Sequence, residues 1–210
     1  MGRKEHWQTV YRRKAAQEVS WYRPHLETSL ALIKQAMPGE DAAILDIGGG
    51  ASTLVDDLLE AGYSDVTVLD VADTALAVAR ERLGESRKRV QWLTTDLLAA
   101  ELEACRYDLC HDRAVFHFLN EESDRAAYRS QVARTLRPGG VLIVATFALD
   151  GPERCSGLPV TRYGEDGMRA VFSDGFALVH AQRESHQTPQ GNVQEMMYFV
   201  LRRDPSAPAR

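Results

Sequence analysis

Three carboxylates stand at or near the ends of three successive apolar runs: Asp46 in "AAILDI", Asp70 closing "DVTVLD", and Asp96 just after "VQWLTT". Gly48, Gly49 and Gly50 follow Asp46 directly, and a helix-forming "TLVDDLLEAG" comes after Ser52. Strand, glycine turn and helix together suit a nucleotide-type cofactor whose atoms approach the backbone at a helix start. A diphosphate fits poorly, because a carboxylate two residues before Gly48 faces the turn and favours a cationic group. The dinucleotide fingerprint G-x-G-x-x-G is also incomplete, with Thr53 in its last place. Asp70 stands where an acidic residue can accept hydrogen bonds from both ribose hydroxyls, and Asp96 is placed to reach an adenine amino group. One such acid is ordinarily a helix cap or a solvated strand end. Three at consecutive strand ends make a binding edge.

Positioning that edge requires alternating strands and helices, and the chain supplies them. After the first strand the pattern predicts helix 53–61, strand "DVTVLD", helix 73–83, strand "VQWLTT", a polar connection and strand "YDLCHD". Helix 122–136 stops at the turn "RPGG", and "VLIVATF" reads as a buried fifth strand. A helix at about 162–172 precedes "FALVHAQRE" and "NVQEMMYFVLRR", two strands split by "HQTPQG". Short apolar strands separated by helices indicate a parallel sheet covered on both faces. The expected fold is therefore α/β: a Rossmann-like seven-stranded sheet, parallel except for one antiparallel strand in the C-terminal hairpin. Upstream, residues 4–19 and 24–36 read as two helices, the second with Leu26, Leu30 and Ile33 on one face. The organisation expected is an N-terminal helical lid over 1–38, a domain over 39–202, and a disordered tail over 203–210.

Composition bounds the function. The 210 residues are 44% hydrophobic and 26% charged, an ordinary globular mixture. A net charge of −5 argues against a broad phosphate-backbone surface, so no nucleic-acid partner is expected. No apolar run reaches membrane-spanning length, and "MGRKEHWQTV" lacks the apolar region of a secretory signal, which leads to an expectation of a cytoplasmic protein. Cys105, Cys110 and Cys155 form an odd set without a disulfide framework. A zinc site from Cys105, Cys110 and His111 lacks the usual ligand spacing, and no metal is expected.

From about residue 40 to 202 the chain resembles the class I S-adenosylmethionine-dependent methyltransferases. "DIGGGAS" matches their first strand and turn, (D/E)-x-G-x-G-x-G, with Ser52 in the last glycine place. "DLCHDRAVFHFL" looks like their fourth motif, and "LRPGGVLIVATF" is similar to their fifth strand and the turn before it. The resemblance implies S-adenosyl-L-methionine as cofactor and S-adenosyl-L-homocysteine as product. It implies that Asp46 and Gly48 to Gly50 hold the methionine moiety, Asp70 with the following Val71 the ribose, and Asp96 with Leu97 the adenine edge. "VSWYRPHLETSL" and "DGPERCSGLPVTRY" resemble a bacterial branch whose acceptors are mostly unassigned.

Transfer from a sulfonium is an in-line displacement that needs the nucleophile held near the methyl and no obligatory side chain. His111 and His117, just past the fourth strand, are the candidate bases, since imidazole titrates near neutrality. Arg113 either meets an acidic acceptor or pairs with Asp112, and the pairing is the expectation. Trp21 and Tyr22 could roof the acceptor or face the sulfonium, and Cys155 sits in the irregular acceptor-side segment. His186, Thr188 and Gln194 flank the final hairpin. The expected function is methyl transfer to a small molecule through oxygen, nitrogen or sulfur. The competing functions are a protein lysine methyltransferase, a nicotinamide-dependent oxidoreductase and a non-catalytic cofactor-binding module. Thr53 and the lack of a Ser/Tyr/Lys proton relay disfavour the oxidoreductase.

Overall fold

The structure is a computed structural model describing residues 2–37 and 39–206. Helices α1 (Arg3–Arg13) and α2 (Glu27–Ala36) lead into β1 (Ala43–Ile47), α3 (Leu54–Glu60), β2 (Asp65–Asp70), α4 (Asp73–Leu83) and β3 (Val90–Thr94). There follow β4 (Tyr107–Arg113), α5 (Glu122–Thr135) and β5 (Leu136–Phe147), then a small ladder of β6 (Arg154–Cys155) and β7 (Leu158–Pro159). Helix α6 (Glu165–Val171) precedes the long hairpin of β8 (Phe176–Gln187) and β9 (Val193–Arg203). Among the described residues the main sheet has seven strands in the order β3-β2-β1-β4-β5-β9-β8. Strands β1 to β5 run parallel, and β9 is antiparallel to both β5 and β8. The Rossmann-like sheet expected from the sequence is the observed one.

Alternation along the strands builds two apolar layers. Ile44 joins Leu54, Leu58 and Leu76 of α3 and α4 on one face, while Leu45 and Ile47 join Tyr128, Val132 and Phe172 on the other. Helix α2 belongs to the first layer: Leu32 and Ile33 are buried with α3 and the sheet. It is a structural layer of the fold, each such side chain contributing about 1.5–3 kcal/mol by leaving water. Helix α1 differs, for none of its residues is fully buried.

The N-terminal boundaries move for identifiable reasons. Helix α1 ends at Arg13, and only a short 3-10 turn forms at Ala16–Glu18. Leu26 has φ −98° and ψ 66°, outside the helical region, so α2 starts at Glu27. Its start is capped from another helix, where buried Asp57 of α3 accepts the Leu26 N–H at 3.0 Å and sits 2.7 Å from His25 Nδ1. The predicted turn "RPGG" is absorbed into β5 as an irregularity, where the β4–β5 register jumps between Tyr107/Leu136 and Leu109/Val141. Strand β9 includes Arg203, one residue into the expected tail. Asp204–Ser206 are described, and the rest of that tail lies outside the described residues.

Candidate active site

Strands β1, β2, β3 and β4 end along one edge, and a cavity of about 130 Å³ follows it. Asp46, Gly48, Gly49 and Ser52 line it at β1, Asp70 and Val71 at β2, and Asp96 and Leu97 after β3. The glycine turn is shaped by what surrounds it. Gly48 has φ +67° and Gly50 φ +46°, conformations that disfavour residues with a side chain. A Cβ on Gly50 would come within 2.9 Å of Asp70 Oδ2 and 3.1 Å of the Tyr11 hydroxyl, and one on Gly49 would run into Asp46 and Val68. Gly50 thus supports the turn from beneath, without lining the cavity. Ser52 Oγ accepts the Leu54 N–H at 3.2 Å and caps α3. Arg82 of α4 clamps the turn from outside, donating to the carbonyls of Ala51 and Ser52 at 2.9 and 2.6 Å.

The three acids differ in environment. Asp46 is buried, with Oδ1 2.8 Å from His111 Nδ1. A carboxylate only accepts, so Nδ1 donates to it and the imidazole is fixed in place. Asp70 is 7% exposed, and one oxygen accepts the Ala72 N–H at 2.7 Å. Burial, helped by the neighbouring charge of Asp46, pushes its carboxyl up to about 7, against the pull of that N–H. Asp96 is half-buried, accepts from Leu98 N–H at 3.0 Å and pairs with Arg3 of α1 at 3.0 Å. These residues fit an adenosine-bearing sulfonium. Asp70 and Asp96 are carboxylate acceptors lining the same cavity, and the glycine turn lies between Asp46 and Asp70 in the chain.

At the β4 end a chain of polar side chains crosses the fold. His111 Nε2 lies 3.0 Å from Ser29 Oγ of α2, and Ser29 Oγ lies 3.4 Å from the Tyr198 hydroxyl of β9. Arg113 Nε donates to that hydroxyl at 3.0 Å, and Nη1 donates to the Trp21 carbonyl at 3.0 Å. The expected Arg113–Asp112 pair is not made. Asp112 is buried and accepts instead from the N–H groups of Val115 and Phe116 and from the Tyr128 hydroxyl. Burial raises its carboxyl to about 6, with those donors opposing the rise.

His111 lines the cavity, yet both ring nitrogens face Asp46 and Ser29, an arrangement of positioning. His117 is not brought to the site. It lies in the 3-10 turn Phe116–Phe118, fully buried between the rings of Phe118 and Phe147, outside the cavity wall. Among the described residues neither ring nitrogen has a hydrogen-bond partner. Burial, and then the charge of Arg113, lowers its pKa to about 3, so it stays neutral and is a poor base at ordinary pH. Cys155 does line the cavity, held in the β6–β7 hairpin whose turn residues Ser156 and Gly157 both have positive φ. Burial raises its thiol to about 11, which removes the thiolate a nucleophile would need.

The N-terminal segment contributes to the cavity wall at both ends. Trp21 and Tyr22 line it as expected, but so do Arg3, Trp7 and Tyr11 of α1. Arg3 bridges Asp96 and Asp124 at 3.0 and 2.7 Å, and Trp7 packs edge-on against Trp21 and Phe118. Helix α1 therefore reaches the Asp96 end of the cavity as well as the β4 end. Sequence reasoning missed Arg3, Trp7, Tyr11, Arg82, Ser29 and Tyr198. Only Arg82 carried a local signal, lying on the α4 side toward the turn. The others reach the site through tertiary contacts. His186 and Thr188 are buried near the last hairpin, with His186 Nε2 2.7 Å from the Ser20 carbonyl, and Gln194 pairs with His186 across β8 and β9. His186 docks residues 18–20 on the sheet, as Gln190 does by donating to the Glu18 carbonyl at 2.7 Å, while Thr188 accepts the Asn192 N–H at 3.1 Å and closes the hairpin turn.

A doubly wound sheet with a glycine turn and acids at three strand ends defines a nucleotide-cofactor-binding α/β protein. Residues 44–140 match the family model described as a methyltransferase domain. That match spans the glycine turn and the strand-end acids, and together with the fold it supports the class I S-adenosylmethionine-dependent methyltransferases as the family. It is 24% identical over 153 residues to the eEF1A lysine and N-terminal methyltransferase of Mus musculus, covering 70% of this chain and 22% of that protein. The chain thus spans about a fifth of the length of that curated relative. Among solved structures, one from work on conversion of a disulfide bond into a thioacetal group during echinomycin biosynthesis superposes with a TM-score of 0.77. It is 21% identical and covers 98% of this chain and 95% of its own. The Burkholderia thailandensis 1,6-didemethyltoxoflavin-N1-methyltransferase, solved with 1,6-didemethyltoxoflavin and S-adenosylhomocysteine bound, has a TM-score of 0.70. It is 21% identical and covers 96% of this chain and 84% of its own. At such identities these structures bear on the fold. Among the described residues no helix is long and apolar enough to cross a membrane.

Proposed function

We propose that the chain transfers a methyl group from S-adenosyl-L-methionine to a small-molecule acceptor. The observation that carries this is a cavity running from the Asp96 and Asp70 acids to Arg113 at the end of β4, with residues of the N-terminal segment in its wall at both ends. When bound, the cofactor supplies an electrophilic methyl on a sulfonium. The chain's own residues do the rest. Asp70 and Asp96 accept hydrogen bonds from the adenosine, and His111 holds Asp46 in place under the glycine turn. Trp7, Trp21 and Phe118 exclude water at the β4 end, where the nucleophile is presented in line. No side chain need take a proton if the acceptor arrives ionised.

The protein lysine methyltransferase reading has support from the names of relatives such as the mouse protein. The aromatic rings of Trp7, Trp21 and Phe118 at the β4 end favour a flat small molecule. Helix α1 and residues 14–23 act in this proposal as a closing element over both ends of the cavity. A cytoplasmic location accords with the three free cysteines. The test is incubation with S-adenosylmethionine and pooled thiols, amines, phenols, carboxylates and peptides, with S-adenosylhomocysteine followed by mass spectrometry. S-adenosylhomocysteine should raise the melting temperature and NAD should not. Stabilisation by NAD alone, or product formation only with peptides, would overturn the proposal.

A further inference from the structure

The β4 end of the cavity holds a cation whose hydrogen-bonding capacity is unfinished. Arg113 has its Nε and Nη1 engaged by neutral oxygens, the Tyr198 hydroxyl and the Trp21 carbonyl, each at 3.0 Å. Its side chain is 6% exposed, and among the described residues Nη2 is buried without a hydrogen-bond partner. The nearest carboxylate oxygen, Glu184 Oε1, is 3.8 Å away, beyond hydrogen-bond distance. That same oxygen lies 3.0 Å from Arg23 Nη1, so one carboxylate is shared by two guanidiniums. Arg23 has a second acid, Glu27, at 3.0 Å, and Arg113 has none.

Asp46 apart, whose carboxylate faces His111, the other titratable groups of this corner add no negative charge. Cys155 is a neutral thiol, and His186 is lowered by burial and by Arg113. His117 is neutral as well, and Asp46 is engaged by His111. A buried guanidinium in such surroundings carries a desolvation cost that a bound anion would offset. Beside it stand flat apolar walls. Trp7 lies 5.8 Å from Trp21 and 5.1 Å from Phe118, ring centre to ring centre.

We propose that Arg113 recognises an acidic group on the methyl acceptor, and that the acceptor is a small apolar, flat molecule carrying a carboxylate or similar anionic oxygen. This rests on the methyltransferase reading above and names its substrate class. Arg113 acts as a specificity residue here, its fork held at a fixed angle by Tyr198 and the Trp21 carbonyl so that Nη2 points to one place. A lysine ammonium is the acceptor this corner would reject, because it would meet a cation of the same sign whose one carboxylate partner is shared with Arg23.

Benzoate and benzamide, equal in shape and different in charge, are the probes. In the protein saturated with S-adenosylhomocysteine, benzoate should bind at least tenfold more tightly than benzamide by calorimetry. Arg113→Gln should abolish that preference while S-adenosylhomocysteine affinity stays within about threefold, and Arg113→Lys should keep part of it. Equal or absent binding of the two probes to the wild type overturns the proposal without needing any variant. So does an Arg113→Gln protein that still prefers benzoate. Failure of S-adenosylhomocysteine itself to bind would instead remove the methyltransferase reading, a separate outcome.

Discussion

The two ends of the cavity are built in different ways. At the Asp70–Asp96 end each acid stands at or just after a strand end, and both are fixed by their own turns, Asp70 accepting the Ala72 N–H and Asp96 the Leu98 N–H, each two residues on. At the β4 end the parts come from far apart: Arg113 bonds Tyr198 85 residues away and the Trp21 carbonyl 92 residues away. Local geometry at the first end is set by strand, turn and helix, and it suits a ligand shared by many proteins of this fold. Long-range packing sets the second, so the helix-bearing N-terminus and the last hairpin can change it without disturbing the cofactor edge. Helix α1 touches both ends, through Arg3 and Trp7.

That division can be broken most severely by removing α1. A protein lacking residues 1–22 should lose methyl transfer almost completely. S-adenosylhomocysteine affinity should also fall by more than tenfold, over about 1.4 kcal/mol, because Arg3, Trp7 and Tyr11 wall the adenosine end too. Affinity kept within tenfold alongside lost turnover would confine the helix to the acceptor side. Slower hydrogen exchange across residues 3–13 on adding S-adenosylhomocysteine is the companion measurement.

A smaller effect sharpens the adenosine end. Asp70→Ala should weaken S-adenosylhomocysteine binding by about 1.5–3 kcal/mol, the scale of hydrogen bonds to a charged group. Because burial raises this carboxyl to about 7 in the free protein, ionisation for ribose binding is incomplete at neutral pH. Wild-type affinity should therefore rise about tenfold from pH 6 to pH 8. Stability of the free protein runs the opposite way: a raised folded pKa gives stability that is full below the ordinary carboxylate range and lost as pH rises through about 7. Asp70→Asn should flatten both profiles, and calorimetry across pH that shows a sloping affinity in Asp70→Asn would locate the titration elsewhere.

The smallest expected effect decides which region His117 belongs to. Its folded pKa is depressed to about 3, so the stability tied to its neutral form is present above the ordinary value of 6.5 and is lost as pH falls toward 3. His117→Leu lacks that dependence. Relative to its difference from wild type at pH 8, the variant should gain about 1.4 kcal/mol at pH 5.5 in urea unfolding. Equal slopes with pH in the two proteins would mean that His117 is protonated within the fold and is part of the cavity after all.

Sequence alone determined the parts whose geometry is local. Apolar runs of strand length alternating with helices require a parallel sheet covered on both faces, and acids at their ends then share one edge by topology. The glycines were legible for the same reason, since Gly48 and Gly50 sit at positive φ beside a packed strand end. Tertiary structure alone decided the rest. It engaged His111 between Asp46 and Ser29, enclosed His117 among aromatic rings, and split the N-terminal pair into a buried helix and a covering one. Those outcomes depend on which distant surfaces meet, and hydrophobic periodicity within a segment records that a face is buried but not what buries it. Arg113 shows the difference most directly: its sequence neighbour Asp112 turned inward to cap Val115 and Phe116, leaving the guanidinium to Tyr198 and the Trp21 carbonyl.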